Sequence, residues 1–246
     1  MNILGIIPAR GGSKGIKGKN TMDIFGKPVF GYTIESALES NLLNKIAVSS
    51  DSDEILSVVN DLYNIDLIKR PDEFAKDDSP IEEALLHAVE YLIENLNYHT
   101  DIVVWMQPNV PIRKDGLNDE VIEKLINTPN ADSCVTCYHA HEISVAMKTL
   151  NPDGSLSPVY KDVNGTRRQE FPVRYLLDGS VVALKVKNLT DTRGIRKGHI
   201  YLGDKILPVM QNKRMYSIEL DEPEDIPLLK YYMKRYLTEQ EDFGTG

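Results

Sequence analysis

The chain has 246 residues and a formal net charge of −9, from 28 Lys+Arg against 37 Asp+Glu, with 41% hydrophobic and 26% charged residues. That length suits one sizeable domain with a packed core, and the balance lies away from disordered, collagen-like and coiled-coil compositions. The excess acid argues against coating nucleic acid through bulk charge, and apolar stretches such as Ile102 to Met106 fall far short of the about 20 residues that span a bilayer, so neither nucleic acid nor a membrane is an expected partner. Two cysteines cannot build a disulfide framework, and Met1 to Ile7 has neither the basic start nor the length of a signal peptide, so the expected location is cytoplasmic.

In chain order, apolar runs predict strands at Ile3–Ile7, Ile46–Val48, Ile102–Met106, Cys134–Cys137, Val181–Leu184 and Ile206–Met210. Helical spacing predicts helices over Val29–Glu39, Asp53–Asn60, Ile81–Leu96 and Leu117–Ile126 between the earlier strands, and a final one from Glu224 to Leu237 before a fraying end at Glu241 to Gly246. Strand alternating with helix implies a three-layer α/β/α sandwich on a mostly parallel sheet, with ligands bound beyond the carboxyl ends of the strands. The pattern weakens at 140–175, where Asn151-Pro152-Asp153-Gly154 and Asn164-Gly165 signal turns, and this stretch reads as an excursion from a single domain spanning 1–246.

The sharpest local signal follows the first strand: Pro8-Ala9-Arg10-Gly11-Gly12-Ser13-Lys14-Gly15-Ile16-Lys17-Gly18-Lys19-Asn20. Residues 1–22 hold four cations and no carboxylate, although the chain as a whole is acidic. Glycines let backbone N–H groups turn toward an anion and the cations close around it, as a polyphosphate requires. The spacing is neither that of a Walker A loop nor G-x-G-x-x-G. A flexible, solvated surface loop is the competing reading, and the position after the first strand of an α/β sheet favours phosphate.

This run, with Gly26-Lys27-Pro28-Val29 after it, resembles the opening of the acylneuraminate cytidylyltransferases (CMP-sialic acid synthetases), relatives of the CMP-Kdo synthetases among the glycosyltransferase-A-like nucleotidyltransferases. The resemblance continues through Ser50-Asp51-Ser52-Asp53-Glu54-Ile55, Arg70-Pro71, Asp78-Ser79, Met106 to Arg113 and Ser217 to Asp225. It implies transfer of CMP from CTP to the anomeric hydroxyl of a nine-carbon 2-keto sugar acid (a nonulosonic acid) with release of pyrophosphate. It also implies roles: Arg10, Ser13, Lys19 and Asn20, with the backbone of Gly11 and Gly12, for the triphosphate; Ala9, Arg70 and Ser79 for the cytosine; Gln107 for the acceptor. Arg10 and Lys19 would neutralise the leaving pyrophosphate, and Glu219 and Asp221 would hold Mg2+. The excursion would form a homodimer, bringing Lys148 and Arg168 toward the acceptor. A cytidylyltransferase for Kdo or another acid, and a non-catalytic nucleotide-binding module, are the alternatives.

Glu219 and Asp221 also have their own logic, because residues two apart on an extended segment share a face and can reach one hard cation. They could equally serve the positive N-terminus of the final helix. The family pattern has Asp at the first of these positions, and Glu219 is one methylene longer. Where sialic acid synthetases are expected to have Asn-Gly followed by an aromatic, this chain has Asp178-Gly179-Ser180-Val181-Val182. Asp178 would accept from hydroxyl or N–H groups of the sugar and Val182 would admit a less polar substituent, which favours a legionaminic or pseudaminic type of acid. Cys134 and Cys137 read as buried strand residues rather than a redox pair, His139 and His141 as loop residues, and His87 and Trp105 as structural.

Overall fold

The computed structural model describes residues 1–140, 147–160, 172–195 and 197–243, the last few without side chains. Strand β1 (Ile3–Pro8) leads through the cationic loop, closed by a 3-10 turn at Lys19–Thr21, and a ribbon of β2 (Asp23–Ile24) and β3 (Lys27–Pro28) into α1 (Val29–Leu38). There follow β4 (Lys45–Ser50), α2 (Asp53–Leu62), β5 (Asp66–Lys69), α3 (Ile81–Leu96), β6 (Ile102–Trp105), α4 (Leu117–Ile126) and β7 (Ser133–His139). A hairpin of β8 (Lys148–Leu150) and β9 (Leu156–Pro158) precedes β10 (Tyr175–Lys185), α5 (Val186–Asp191), β11 (Ile206–Gln211) and α6 (Asp225–Phe243).

The main sheet has the order β11-β7-β10-β6-β1-β4-β5. All its pairs are parallel except those of β10, which runs antiparallel to both β6 and β7. Alternation within β6 shows how the layers form. Ile102 and Val104 pack with Met106 against α1, α2 and α4, while Val103 and Trp105 pack against α3 and α5. A third cluster joins Ile16 of the cationic loop to Ile218, Leu220, Leu229 and Met233, so α6 holds that loop from outside. Helix starts agree with local chemistry: Ser52 Oγ accepts from Ile55 N and Asp53 and Glu54 fill the first turn of α2.

The sandwich is the expected one, with differences in detail. Strand β5 escapes sequence reading because only Ile68 of its four residues is fully buried and it lies at the sheet edge. Strand β10 begins at Tyr175, well before the predicted Val181, and its pairing with β7 shifts register between Leu177 and Val182. Helix α6 continues to Phe243, through part of the end expected to fray. The excursion contains the β8–β9 hairpin, turned at Asn151–Ser155 with Gly154 at φ +81°; Asn164-Gly165 lies outside the described residues. Cys134 and Cys137 are free and buried, and burial pushes both thiols up, as expected of packing residues. No helix among the described residues is long and apolar enough to cross a membrane.

Candidate active site

The carboxyl ends of β1 and β6, with the Leu177–Val182 part of the antiparallel β10, open into a cleft of about 400 Å³, a size that takes a small ligand. Its polar side is built from Arg10, Ser13, Lys19, Asn20, Arg70, Gln107, Asn109 and Glu219. Phe74, Trp105, Leu177, Val182, Tyr201 and Leu202 make an apolar side, with His199, at φ +57°, on its rim.

The cationic loop is folded rather than loose. Gly11 N donates to Asp51 Oδ1 at 3.0 Å, and the Asn20 amide donates to the Arg10 carbonyl at 2.9 Å, while Asn20 Oδ1 is buried with no partner among the described residues. Gly15 passes so close to the Asp221 backbone that a Cβ there would stand 2.1 Å from the Asp221 carbonyl oxygen. Only glycine fits that approach. Lys19 Nζ reaches Asp221 Oδ1 at 2.6 Å, and Arg10 Nη1 and Lys14 Nζ each reach a different oxygen of Asp77 at 2.7 Å. Thus two carboxylates occupy the cations where a polyanion would.

Asn109 grips the acidic segment from two sides. Its carbonyl accepts from Leu220 N at 2.8 Å and its amide donates to Asp221 Oδ1 at 3.0 Å. A 3-10 turn covers Arg214–Ser217, so the segment is not extended throughout, but Glu219 and Asp221 lie near enough for each to perturb the other's titration. Partial withdrawal of its carboxyl from water and the neighbouring charge of Asp221 push Glu219 well above the usual carboxylate range. For Asp221 burial acts in the same direction, but the Lys19 ammonium and the Asn109 amide outweigh it and hold the group low. Among the described residues no three His, Cys, Asp or Glu side chains gather as a protein-only metal cage. Two adjacent carboxylates facing the cationic loop nevertheless form a donor set of the kind that suits Mg2+, a hard cation that takes carboxylate and phosphate oxygens and keeps several waters.

The remaining expected residues divide. Arg70 lines the cleft, 4% exposed; burial lowers its pKa and Asp51, 3.7 Å away, opposes that shift. Ser79 and Gln107 also line it, although the Ser79 hydroxyl is engaged with Glu73 and Lys76 of its own loop. Ala9 does not line it: its methyl is fully buried in the core, and its N–H extends β1 by donating to the Ser49 carbonyl. Gly11 and Gly12 are exposed beside the cleft. Lys148 is exposed on β8 and not among the cleft residues of its own chain, and Arg168 and His141 lie outside the described residues.

Asp178 requires a correction. It is 1% exposed, and its oxygens accept from Thr136 Oγ1, from Ser180 N at 3.0 Å and from Ser217 Oγ at 2.9 Å. The register shift in β10 turns it inward, away from any sugar, whereas Val182 does reach the cleft. Trp105 is core on the α3 side, as expected, but also lines the cleft, and its Nε1 has no partner among the described residues. His87 is packed between Phe74 and Tyr91. Sequence reasoning gave no role to Asn109, Asp77 or His199. Asn109 carried a usable signal, since it sits in the turn directly after a central strand; the other two carried none.

A family model described as Cytidylyltransferase matches residues 4–163. The N-acylneuraminate cytidylyltransferase of Escherichia coli O18:K1:H7 is 28% identical over 229 residues, 92% of this chain and 51% of that protein, so the chain spans about half the length of this relative. The CMP-N,N'-diacetyllegionaminic acid synthase of Legionella pneumophila is 27% identical over 95% of this chain and 97% of that protein. In fold, the chain resembles a CMP:2-keto-3-deoxy-manno-octonic acid synthetase solved with CTP, at a TM-score of 0.71 and 17% identity over 96% of this chain and 99% of that one. With a glycine-rich cationic loop after its first strand and a family match that covers well over half its length, the chain belongs to the cytidylyltransferase family.

Proposed function

We propose that this protein transfers CMP from CTP to the anomeric hydroxyl of a nine-carbon 2-keto sugar acid and releases pyrophosphate. The observation that carries this reading is the Lys19–Asp221 contact, which joins a phosphate-type loop to a carboxylate pair across one cleft. Membership of the family and the relatives that act on sialic and legionaminic acids supply the substrate class.

In this reading the triphosphate displaces Asp77 and lies along Arg10, Ser13, Lys19, Asn20 and the Gly11–Gly12 backbone. Arg70 and Ser79 hold the base, with the backbone beside Ala9, and Gln107 meets the acceptor. Glu219 and Asp221 hold Mg2+, which when bound supplies charge neutralisation at the phosphates. The anomeric hydroxyl oxygen attacks the α-phosphorus in line and gives up its proton to water, the bond to the bridging oxygen breaks, and Arg10 and Lys19 stabilise the charge that gathers on the departing pyrophosphate. No covalent nucleophile is required; positioning and fixed charge do the work.

The protein acts as a cytoplasmic homodimer in this reading. Leu150, Leu156, Val159 and Tyr160 of the hairpin region stand exposed together with Tyr175 and Leu177, an apolar surface suited to a second copy, which would bring Lys148 and Arg168 to the partner's acceptor site. The test is pyrophosphate release from CTP and Mg2+ with N-acetylneuraminic, N,N'-diacetyllegionaminic, pseudaminic and Kdo acids in turn. Release only when CTP and a nine-carbon acid are both present supports the reading; release with Kdo alone, or with no acid, overturns it.

A further inference from the structure

Arg113 is 2% exposed, and the reaction above assigns it nothing. Its Nη1 donates to Thr33 Oγ1 of α1 at 2.7 Å, and its Nη2 donates to the Gln107 carbonyl at 2.7 Å and the Ser180 carbonyl at 3.0 Å. Its Nε also points to the Ser180 carbonyl, at 3.3 Å. Among the described residues no carboxylate lies within ion-pair distance of it. Burial lowers its pKa to about 9, with the charge of Asp178 opposing, so it stays charged near neutrality. A buried cation held only by neutral acceptors is a costly way to fill a core, since well-packed apolar side chains serve as well or better.

What the charge holds is the meeting point of two turns. Gln107 N donates to the Gly179 carbonyl at 3.3 Å, and a Cβ on Gly179, which has φ +64°, would come within 2.5 Å of Gln107 Nε2. The Gln107 side chain therefore rests directly on Gly179. The main chains on both sides of that contact hang from one guanidinium. On the other flank Asp178 accepts from Ser180 N and from Ser217, which ties the same bulge to the segment leading to Glu219.

We infer that Arg113 is a positioning residue for the acceptor: its planar fork locks the Gln107 turn against the Asp178–Ser180 bulge and so sets where the Gln107 amide meets the sugar acid. The inference rests on the proposed role of Gln107. A lysine keeps the charge but is a single point with no fork to span Thr33 and two carbonyls.

The test is Arg113→Lys in the full-length protein, with Thr33→Val as a milder variant that leaves the charge but removes one acceptor of Arg113 together with the hydroxyl's own 3.5 Å contact to the Gln107 carbonyl. Three quantities are read: kcat/KM for whichever acid the wild type uses, the Kd of CTP with Mg2+ by calorimetry, and amide hydrogen exchange. Arg113→Lys is expected to lower kcat/KM for the acid by about 100-fold while the CTP Kd stays within about twofold, because a small misplacement at the reacting centre costs on that scale. Thr33→Val should show the same split more weakly. The amides of Gln107, Val110 and Ser180 should exchange faster in Arg113→Lys, with β4 unchanged. Unchanged kcat/KM, or parallel loss of CTP binding, overturns the inference. Should Arg113→Lys fail to fold, Thr33→Val decides by the same split. Should the wild type use none of the acids, the proposed function fails, and the exchange pattern still decides whether Arg113 locks these turns.

Discussion

Lys19 Nζ stands 2.6 Å from Asp221 Oδ1, although 202 positions separate them in the chain. The contact sets the loop after β1 against the segment before α6, and it defines the first prediction. Arg10→Ala and Lys19→Ala should each lower turnover at saturating CTP by on the order of 100-fold, because in the proposed reaction each removes a cation whose interaction strengthens as pyrophosphate leaves. For Arg10→Ala the thermal midpoint should barely move, since its pair with Asp77 is exposed and such pairs contribute little. Asp221→Asn should shift the Mg2+ titration to higher concentration; an unchanged titration places the metal elsewhere.

Asp77 bridges Arg10 and Lys14, and those two hydrogen bonds hold its carboxyl below the usual range. In the proposed reading a triphosphate must break both contacts. Asp77→Asn is therefore expected to tighten CTP binding by roughly two- to five-fold, in keeping with the modest strength of exposed pairs. Calorimetry with CTP decides; weaker binding would mean that Asp77 assists the nucleotide rather than competing with it.

His87 is half-buried against Phe74 and Tyr91, and burial, with the charge of Arg70, holds its pKa below the ordinary value. The folded state thus prefers neutral imidazole. Its contribution is present above the unfolded pKa of about 6.5 and is lost as the pH falls through and below that value, because the unfolded chain takes up the proton first. Denaturant midpoints measured across this range should fall less steeply in His87→Leu than in the wild type. Parallel slopes would remove His87 from the acid response.

In the proposed reaction, acceptor preference rests on Val182 with the apolar wall of Trp105, Leu177 and Leu202, since Asp178 faces inward. Acids that end in a methyl group, such as N,N'-diacetyllegionaminic or pseudaminic acid, should be used with higher kcat/KM than N-acetylneuraminic acid, whose polyol tail would be desolvated there without partners. Val182→Ser should narrow the difference. A clear preference for N-acetylneuraminic acid sinks this expectation and leaves CMP transfer intact.

The hairpin tests assembly. Leu150→Arg and Leu156→Arg replace side chains 69% and 65% exposed, so the monomer should fold unchanged while a dimer built on this face dissociates. Sedimentation should show the shift, with loss of turnover. An active monomer refutes the dimer.

The amino-acid sequence alone determined the layers and the cationic loop of this protein. Continuous apolar runs such as Ile3–Ile7, buried on both faces of the sheet, and helical runs such as Ile81–Leu96 are local patterns, and each is set by which faces must leave water. The clustering of Arg10, Lys14, Lys17 and Lys19 among glycines is equally local, and so are Glu219 and Asp221 two apart. Direction and register were decided by the tertiary structure. Nothing within Tyr175–Lys185 says that it runs antiparallel between two neighbours or shifts register after Leu177, yet that shift sends Asp178 inward and leaves Val182 in the cleft. The grip of Asn109 on Asp221 and the hold of Arg113 on Gln107 and Ser180 likewise join residues far apart in the chain. Such partnerships depend on which elements pack side by side, and that is settled only when the whole sheet closes on its helices.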